Sequence, residues 1–116
     1  MILYVVYLYE LPSRNACDFI QGFRGRLCAL RELPGWIHAD LLEQSCHSRF
    51  LRRFLSISFF TSFDAAQQAE RSSQMQKFLA WVRDETILCV DLGTFLFPAW
   101  PDFDEESQNV GGMIRA

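Results

Sequence analysis

The side chains that could carry out chemistry lie in segments of this sequence that read as β-strands. His38, in the segment WIHADLLEQ, is the plausible base at neutral pH among the predicted strand residues. In the segment FLSISFFTSFDAA, Ser56 and Ser58 have the same parity as Phe60, so the three side chains share one strand face. A base beside hydroxyl donors is what removal of a proton from a phenol or a carbon acid requires. The sequence leaves open whether this serine face holds a ligand or only a core.

Other aromatic and polar residues have the parity of a common strand face. In the first strand these are Tyr7 and Tyr9, and in the second they are Trp36, His38 and Asp40. A plainer interpretation competes with catalysis, because a lone histidine on a strand is more often structural than a base. The serines could only fill space beneath bulky phenylalanines, and the tyrosines could only place hydroxyls at the sheet margin. The sequence contains no nucleophile elbow, phosphate loop or paired-carboxylate motif.

The composition limits the classes of function. The chain has 116 residues, a formal net charge of −3, 50% hydrophobic residues and eleven phenylalanines. These values predict one domain with a substantial core. Because there is no basic excess, no nucleic-acid surface is expected.

Neither a membrane segment nor a metal site is predicted. The first ten residues are apolar, but they lack a positive n-region and a cleavage site and are too short to span a bilayer. We therefore expect a soluble, cytoplasmic protein. The four cysteines are Cys17, Cys28, Cys46 and Cys89, and they form no C-x-x-C pair. We interpret them as reduced thiols. The sequence implies neither a metal nor a cofactor.

Hydrophobic periodicity predicts four strands and two helices in the order βαββαβ. Residues 2–9 are all apolar or tyrosine, which is typical of a strand buried on both faces. A second strand at 36–44 and a third at 50–60 are predicted to form a hairpin, and a fourth runs over 86–97. Asp91, in the middle of that fourth strand, would be costly to bury without a partner, and it can instead mark an exposed edge.

The helices are recognised by their apolar stripes and their caps. The first covers 16–30, and the second begins after Thr61 or Ser62, with Ser72-Ser73 able to interrupt it.

Two glycines, Gly22 and Gly25, lie inside the first helix, where each costs about 1 kcal/mol relative to alanine. They indicate either a tolerant solvent side or the close approach of a neighbour or ligand.

These elements predict an α+β, ferredoxin-like domain over residues 1–99, with a four-stranded antiparallel sheet and both helices on one face. Residues 100–116 are acidic and then glycine-containing, which predicts a flexible tail. The third strand is also apolar on its other side, at Leu55, Ile57 and Phe59, so that face needs a cover. A second copy of the chain, packed sheet against sheet, is the simplest cover, and a homodimer is predicted.

Four segments of the chain carry a resemblance to a known family. They are LYVVYLYEL, RELPGWIHADLLEQ, RFLSISFFTSFDAA and ILCVDLGTFLFPA. Over about residues 2–99 the chain resembles the antibiotic biosynthesis monooxygenase-like family of dimeric α/β-barrel proteins, most specifically at 33–36 and 54–66. The resemblance implies a dimer whose sheets form a barrel, with a pocket between each subunit's own sheet and its helices.

The same resemblance implies that the serine face is the ligand side. Family members often carry a tryptophan at the end of the third strand, where this chain has Phe60. An aromatic pocket with hydroxyls and one imidazole suits a flat phenolic or quinonoid ligand. On this reading His38 is the base and Tyr7 a hydrogen-bond donor, and the substrate-binding residues are Tyr9, Trp36, Ser56, Ser58 and Phe60.

The family includes cofactor-free oxygenases of aromatic compounds and haem-degrading oxygenases. The haem-degrading branch needs an asparagine in the first strand and a tryptophan and a histidine in the second helix, where an ungapped mapping places Tyr7, Ala69 and Leu79. Leucine has no lone pair to give to iron, so haem degradation is not expected. The resemblance implies a cofactor-independent monooxygenase of a small aromatic or quinol-type substrate. The alternative is a non-catalytic homodimer of the same fold, which either holds a small apolar molecule or is purely structural.

Overall fold

The computed structural model describes residues 2–45 and 48–97 of the chain. Within that part, the strands and α-helices are β1 (Ile2–Pro12), α1 (Ala16–Leu30), β2 (Trp36–Glu43), β3 (Leu51–Phe60), α2 (Phe63–Arg71), α3 (Ser73–Glu85) and β4 (Leu88–Phe97). The segment 100–116, for which a flexible tail is predicted, lies outside the described residues. None of the helices described is long and apolar enough to cross a membrane.

The strands form one antiparallel sheet in the order β2-β3-β1-β4, so β2 and β4 are its edges. The most uniformly apolar segment, β1, lies in the interior of the sheet, as expected for a strand covered on both faces. The predicted α+β, ferredoxin-like fold is confirmed. The second predicted helix is interrupted at the Ser72-Ser73 pair that the sequence indicated, and it forms α2 and α3.

Ser72 is the residue that divides this helix. Its backbone is extended (φ −71°, ψ 151°), its hydroxyl donates to the carbonyl of Ala69 at 2.6 Å, and its Oγ accepts from the N–H of Met75 at 3.1 Å. One side chain thus closes α2 and caps α3, as serine does when it competes with the backbone for hydrogen bonds. Ser62 caps the start of α2 by accepting from the N–H of Ala65.

The core lies between the sheet and the helices and is rich in aromatic rings. Phe19 of α1 is central to it, with ring centroids 5.8 Å from Tyr9, 5.6 Å from Phe54 and 5.5 Å from Trp81. Tilted and stacked ring pairs of this kind add to the stabilisation that each ring gains from burial.

The register of β1 against β3 assigns each side chain to one of two faces, because residues directly opposite each other point the same way. The side packed against the helices, which we call the helix-covered face, carries Leu3, Val5, Tyr7 and Tyr9 opposite Phe60, Ser58, Ser56 and Phe54. The other side, which we call the open face, carries Tyr4, Val6 and Leu8 opposite Phe59, Ile57 and Leu55. The helix-covered face of β3 is largely buried, whereas its open face is half-buried.

A bulge at the start of β2 changes which residues share a face. Trp36 is opposite Phe60 of β3, and His38 is opposite Phe59. The chain thus advances two residues along β2 but only one residue along β3. The alternation therefore shifts by one residue. The prediction that Trp36, His38 and Asp40 share one face is wrong, since Trp36 is on the helix-covered face and the other two are on the open face. Parity counts residues along one strand and misses a residue that the partner strand leaves unpaired.

Candidate functional site

A cavity of about 160 Å³ lies between the helix-covered face and the helices α2 and α3, and it is partly open to solvent. Its apolar walls include Val5, Phe60, Phe63, Met75, Phe78 and Leu79. The volume is close to the ~150 Å³ of an engineered apolar cavity that holds benzene. The cavity therefore has room for about one aromatic ring.

The structure brings together most of the residues that the sequence assigned to a site. All those on the helix-covered face of β1 and β3 line the cavity, namely Tyr7, Tyr9, Ser56, Ser58 and Phe60. Trp36 and His38 are not part of this lining.

Tyr9 and Ser56 form a fixed polar pair in the cavity wall. Their hydroxyl oxygens are 2.7 Å apart, and both residues are buried. Burial raises the pKa of Tyr9, and the hydrogen bond to Ser56 lowers it by a smaller amount, so the pKa is raised overall. The phenol thus stays protonated at neutral pH, and this pair positions the wall rather than exchanging protons.

Tyr7 presents a neutral hydroxyl beside that pair. Its ring stacks on the ring of Tyr9, with centroids 6.2 Å apart and planes inclined by 16°. Burial, and then the nearby carboxylates of Asp91 and Glu70, raise the pKa of Tyr7 to about 12. The hydroxyl is protonated at neutral pH and can donate a hydrogen bond to a ligand oxygen.

His38 lies on the open face, away from the cavity. Its ring stacks on Phe59, with centroids 4.5 Å apart, and its Nε2 is 3.6 Å from Oδ2 of Asp40. The sheet separates this imidazole from the cavity within one chain, because the bulge in β2 turns it to the other side. The expected placement of a histidine base in the pocket is therefore wrong.

Trp36 is on the helix-covered face but packs beside the cavity rather than in it. It contacts the buried cluster, and its indole Nε1 is buried with no hydrogen-bond partner among residues 2–45 and 48–97. It also lines a separate groove with Arg24 and Arg31. Its assignment to the substrate pocket gains no support from this position.

Two carboxylates in the lining, Glu70 and Asp91, were not assigned to the site from the sequence. Glu70 is in the last turn of α2, and Asp91 is opposite Tyr7 on the edge strand β4. Both side chains are exposed, so neither carries the cost of a buried charge. The interpretation of Asp91 as an edge residue is confirmed, and the same edge is a wall of the cavity.

A bulge in β4 places Asp91 and Thr94 together in the lining. Asp91 is opposite Tyr7, but the preceding residue of β1 is opposite Gly93, so one residue of β4 is extra. Gly93 has a φ of +106°, and its N–H donates to Oδ1 of Asp91 at 2.8 Å. On a regular strand Asp91 and Thr94 would point to opposite faces, yet both line the cavity. A glycine inside a strand pattern, two residues after an aspartate, is the signal that could have indicated this bulge.

Comparison with known proteins identifies the fold. No family model matches the sequence, and no curated protein matches it. Solved structures do match. A variant of SnoaB, a cofactor-independent oxygenase from Streptomyces nogalater, has a TM-score of 0.69 at 16% identity, over 86% of this chain and 96% of that chain. A candidate antibiotic biosynthesis monooxygenase from Bordetella bronchiseptica has a TM-score of 0.71 at 10% identity, over 84% of this chain and 98% of that chain. Another, from Nitrosomonas europaea, has a TM-score of 0.60 at 17% identity, over 85% of this chain and 94% of that chain. The fold is that of the antibiotic biosynthesis monooxygenase-like proteins.

In this antibiotic biosynthesis monooxygenase-like fold, the positions compared with the haem-degrading branch lie in or beside the cavity. Tyr7 and Leu79 line it, and Ala69 is buried in the core. Leu79, which the ungapped mapping compares with the iron ligand of that branch, has no lone pair to offer. In the described part of the chain, no three His, Cys, Asp or Glu side chains form a group that could hold a metal ion. The residues present do not fit a haem bound in that arrangement.

Proposed function

We propose that the chain is a cofactor-independent monooxygenase of a small aromatic or quinol-type substrate. The observation that carries this proposal is the cavity, which joins aromatic walls to neutral hydroxyl groups in a chain with this fold. Its volume suits one ring rather than a polycycle. Catalysis without a cofactor needs a substrate that supplies its own electrons and a site that shields the reaction from water.

In the proposed reaction, a CH₂ group activated by the ring loses one proton to a base. The resulting carbanion transfers electrons to dioxygen, and a carbon–oxygen bond forms. After protonation the oxygen–oxygen bond breaks, so the carbon becomes a carbonyl and the second oxygen atom leaves as water with the two hydrogens. Tyr7 and Ser58, both in the lining, are the proposed donors to the substrate oxygen as negative charge develops on it.

The proposed proton acceptor is Asp91. Within the described lining, Asp91 and Glu70 are the residues with carboxyl groups, and a carboxylate oxygen can act as a general base. Asp91 is opposite Tyr7, so the proposed base and the proposed donor are neighbours on adjacent strands. His38 is left out of the proposal, because it lies on the open face.

We also propose that two chains associate through the open face. Side chains on that face, such as Leu55, Ile57 and Phe59, are only half-buried in one chain, and Leu42 and Phe95 on the flanking strands are 50% and 48% exposed. A contiguous apolar surface of this kind marks an interaction site, and a second copy offers a complementary one.

A cytoplasmic setting stays a prediction. Among the residues described, Cys17, Cys28 and Cys89 are free thiols. Free thiols are typical of reducing compartments, which supports the prediction.

The second candidate is a non-catalytic protein of this fold that binds a small apolar molecule. The placement of His38 outside the cavity favours it, since the expected imidazole base is missing from the site. A purely structural dimer is favoured less, because it would need a filled core where the cavity lies.

Oxygen uptake tests the proposal. Purified protein is supplied with a panel of monocyclic quinols that carry a CH₂ group activated by the ring, and oxygen uptake and product mass are recorded. We expect turnover that falls by about 10²-fold in Asp91→Asn, as for loss of a general base, and by a similar factor in Tyr7→Phe. Tyr4→Phe, the same change on the open face, is the matched control and should retain the rate.

Two results would decide against the proposal. Binding of the quinols without oxygen uptake would favour the second candidate. Loss of uptake in His38→Ala together with full activity in Asp91→Asn would reject Asp91 as the proton acceptor.

A further inference from the structure

We propose that the cavity selects its ligand by the charge of the polar end, favouring a protonated amine, accepting a neutral group and rejecting a carboxylate. Glu70 and Asp91 are the specificity-determining residues. This inference names the substrate class of the site and rests on the proposed function in taking the cavity as the place where substrate binds.

The two carboxylates approach the cavity from different elements. Asp91 comes from the edge strand β4, where the N–H of Gly93 holds one of its oxygens at 2.8 Å. Glu70 comes from the last turn of α2, where the helix end also carries partial negative charge. Both line the same cavity as Tyr7, so negative charge is gathered at the end where Tyr7 lies.

Cations are absent from the described lining of the cavity, whose remaining residues are apolar, aromatic or neutral polar. Arg71 and Arg83 lie in an adjoining groove, which shares Tyr7, Glu70 and Asp91 with the cavity. At the Tyr7 hydroxyl the carboxylates outweigh the guanidinium, since Asp91 and Glu70 each act on the pKa of Tyr7 more strongly than Arg83 does. The same field disfavours an anionic ligand and favours a cationic one.

The apolar part of the cavity suits the body of such a ligand. The volume of about 160 Å³ matches a benzene-sized ring, and aromatic side chains surround it. Ring faces attract an ammonium group, so the walls and the carboxylates favour the same charge. The structure points to an arylalkylamine, with its ring inside the cavity and its ammonium group at the carboxylates.

Three probes of similar size, each with one benzene ring, test this inference. Benzylamine, benzyl alcohol and benzoate are cationic, neutral and anionic at neutral pH, and each is titrated into ¹⁵N-labelled protein, whose amide spectrum reports both binding and fold. We expect benzylamine to bind about fivefold more tightly than benzyl alcohol, equivalent to about 1 kcal/mol, and benzoate to bind most weakly. In the double variant Asp91→Asn, Glu70→Gln the three affinities should converge to within about twofold.

The matched control is Asp84→Asn, Glu85→Gln, which removes the same charge from exposed residues at the end of α3 and should keep the order of affinities.

The inference is overturned by benzoate binding at least as tightly as benzylamine, by an unchanged order in the Asp91 and Glu70 variant, or by no binding of any probe. Oxygen uptake with an uncharged quinol reports on the monooxygenase proposal separately. If the cavity selects ligands by charge but no oxygen is consumed, only the monooxygenase proposal is refuted. If oxygen is consumed but the ligands are not selected by charge, only this inference is refuted.

Discussion

At the scale of single residues, Tyr7 and Tyr9 share a strand face but have different roles. Tyr9 shares its hydroxyl with Ser56 and is fully buried, whereas Tyr7 is half-buried and faces two carboxylates. Both phenols have a raised pKa, with burial as the main cause. The folded protein therefore holds these protons more tightly than the unfolded chain, in which a tyrosine titrates near ~10.

We expect the free energy of unfolding to fall as the pH rises from about 10 to about 12, the pKa of Tyr7 in the folded protein. Below this range both states hold the proton, and the contribution of Tyr7 is fully present. Within it the unfolded chain has released a proton that the folded protein still binds, so rising pH favours unfolding. Urea titrations across the range should show a flatter pH dependence in Tyr7→Phe. An identical slope in the variant, or a tyrosinate absorbance of Tyr7 that appears near ~10, would contradict this account.

At the scale of elements, the two glycines of α1 differ in how much space surrounds them. A Cβ added at Gly22 would lie 2.5 Å from Cζ2 of Trp81, whereas one added at Gly25 would meet nothing within 4 Å. Trp81 has little room to move, because its ring stacks on Phe19 and lies under the guanidinium of Arg26. Close approach therefore explains Gly22, and a tolerant solvent side explains Gly25.

The two alanine variants should change stability in opposite directions. Gly22→Ala should lower the free energy of unfolding by about 1–3 kcal/mol, as overpacking does. Gly25→Ala should raise it by about 0.5–1 kcal/mol, because alanine loses less conformational freedom in a helix. Urea denaturation of both variants against the unmodified chain measures the two effects. Stabilisation by both substitutions would show that α1 and α3 do not pack as described.

At the scale of the whole molecule, the sheet has two apolar faces and the chain's own helices cover only one. The open face keeps Leu55, Ile57 and Phe59 half-buried, and the exposed Leu88 and Phe95 extend it onto β4. Its charged groups lie towards the margins, where Arg53 pairs with Glu10 at 3.0 Å and His38 approaches Asp40. An apolar centre with a polar rim is the usual anatomy of a protein interface.

We expect a dimer in solution, and Ile57→Lys should convert it to a monomer by placing an unpaired charge in the apolar centre. Gln68→Lys, a lysine introduced on an exposed position of α2, is the control and should stay dimeric. Native mass spectrometry gives the subunit count directly. A monodisperse monomer of the unmodified chain at micromolar concentration would show that something else covers this face.

The local features of the fold were predictable from the sequence because they depend on neighbours along the chain. Periodicity identified the strands and helices, caps placed the start of α2, and the two apolar sides of β3 were read from alternation alone. Parity also placed Ser56 and Ser58 on one face of β3, and the family resemblance, not parity, predicted that Tyr7 shares the pocket with them.

Only the tertiary structure decided which groups meet. The bulges that turn His38 to the open face and place Asp91 beside Tyr7 depend on how a partner strand pairs, which parity within one strand does not contain. The reason for a glycine at position 22 likewise depends on Trp81, a residue far along the chain whose ring leaves no room for a Cβ. The sequence by itself determined the elements and their faces, because those follow from local geometry. Pairing and packing across the chain determined the chemistry of the cavity, because they set which side chains share it.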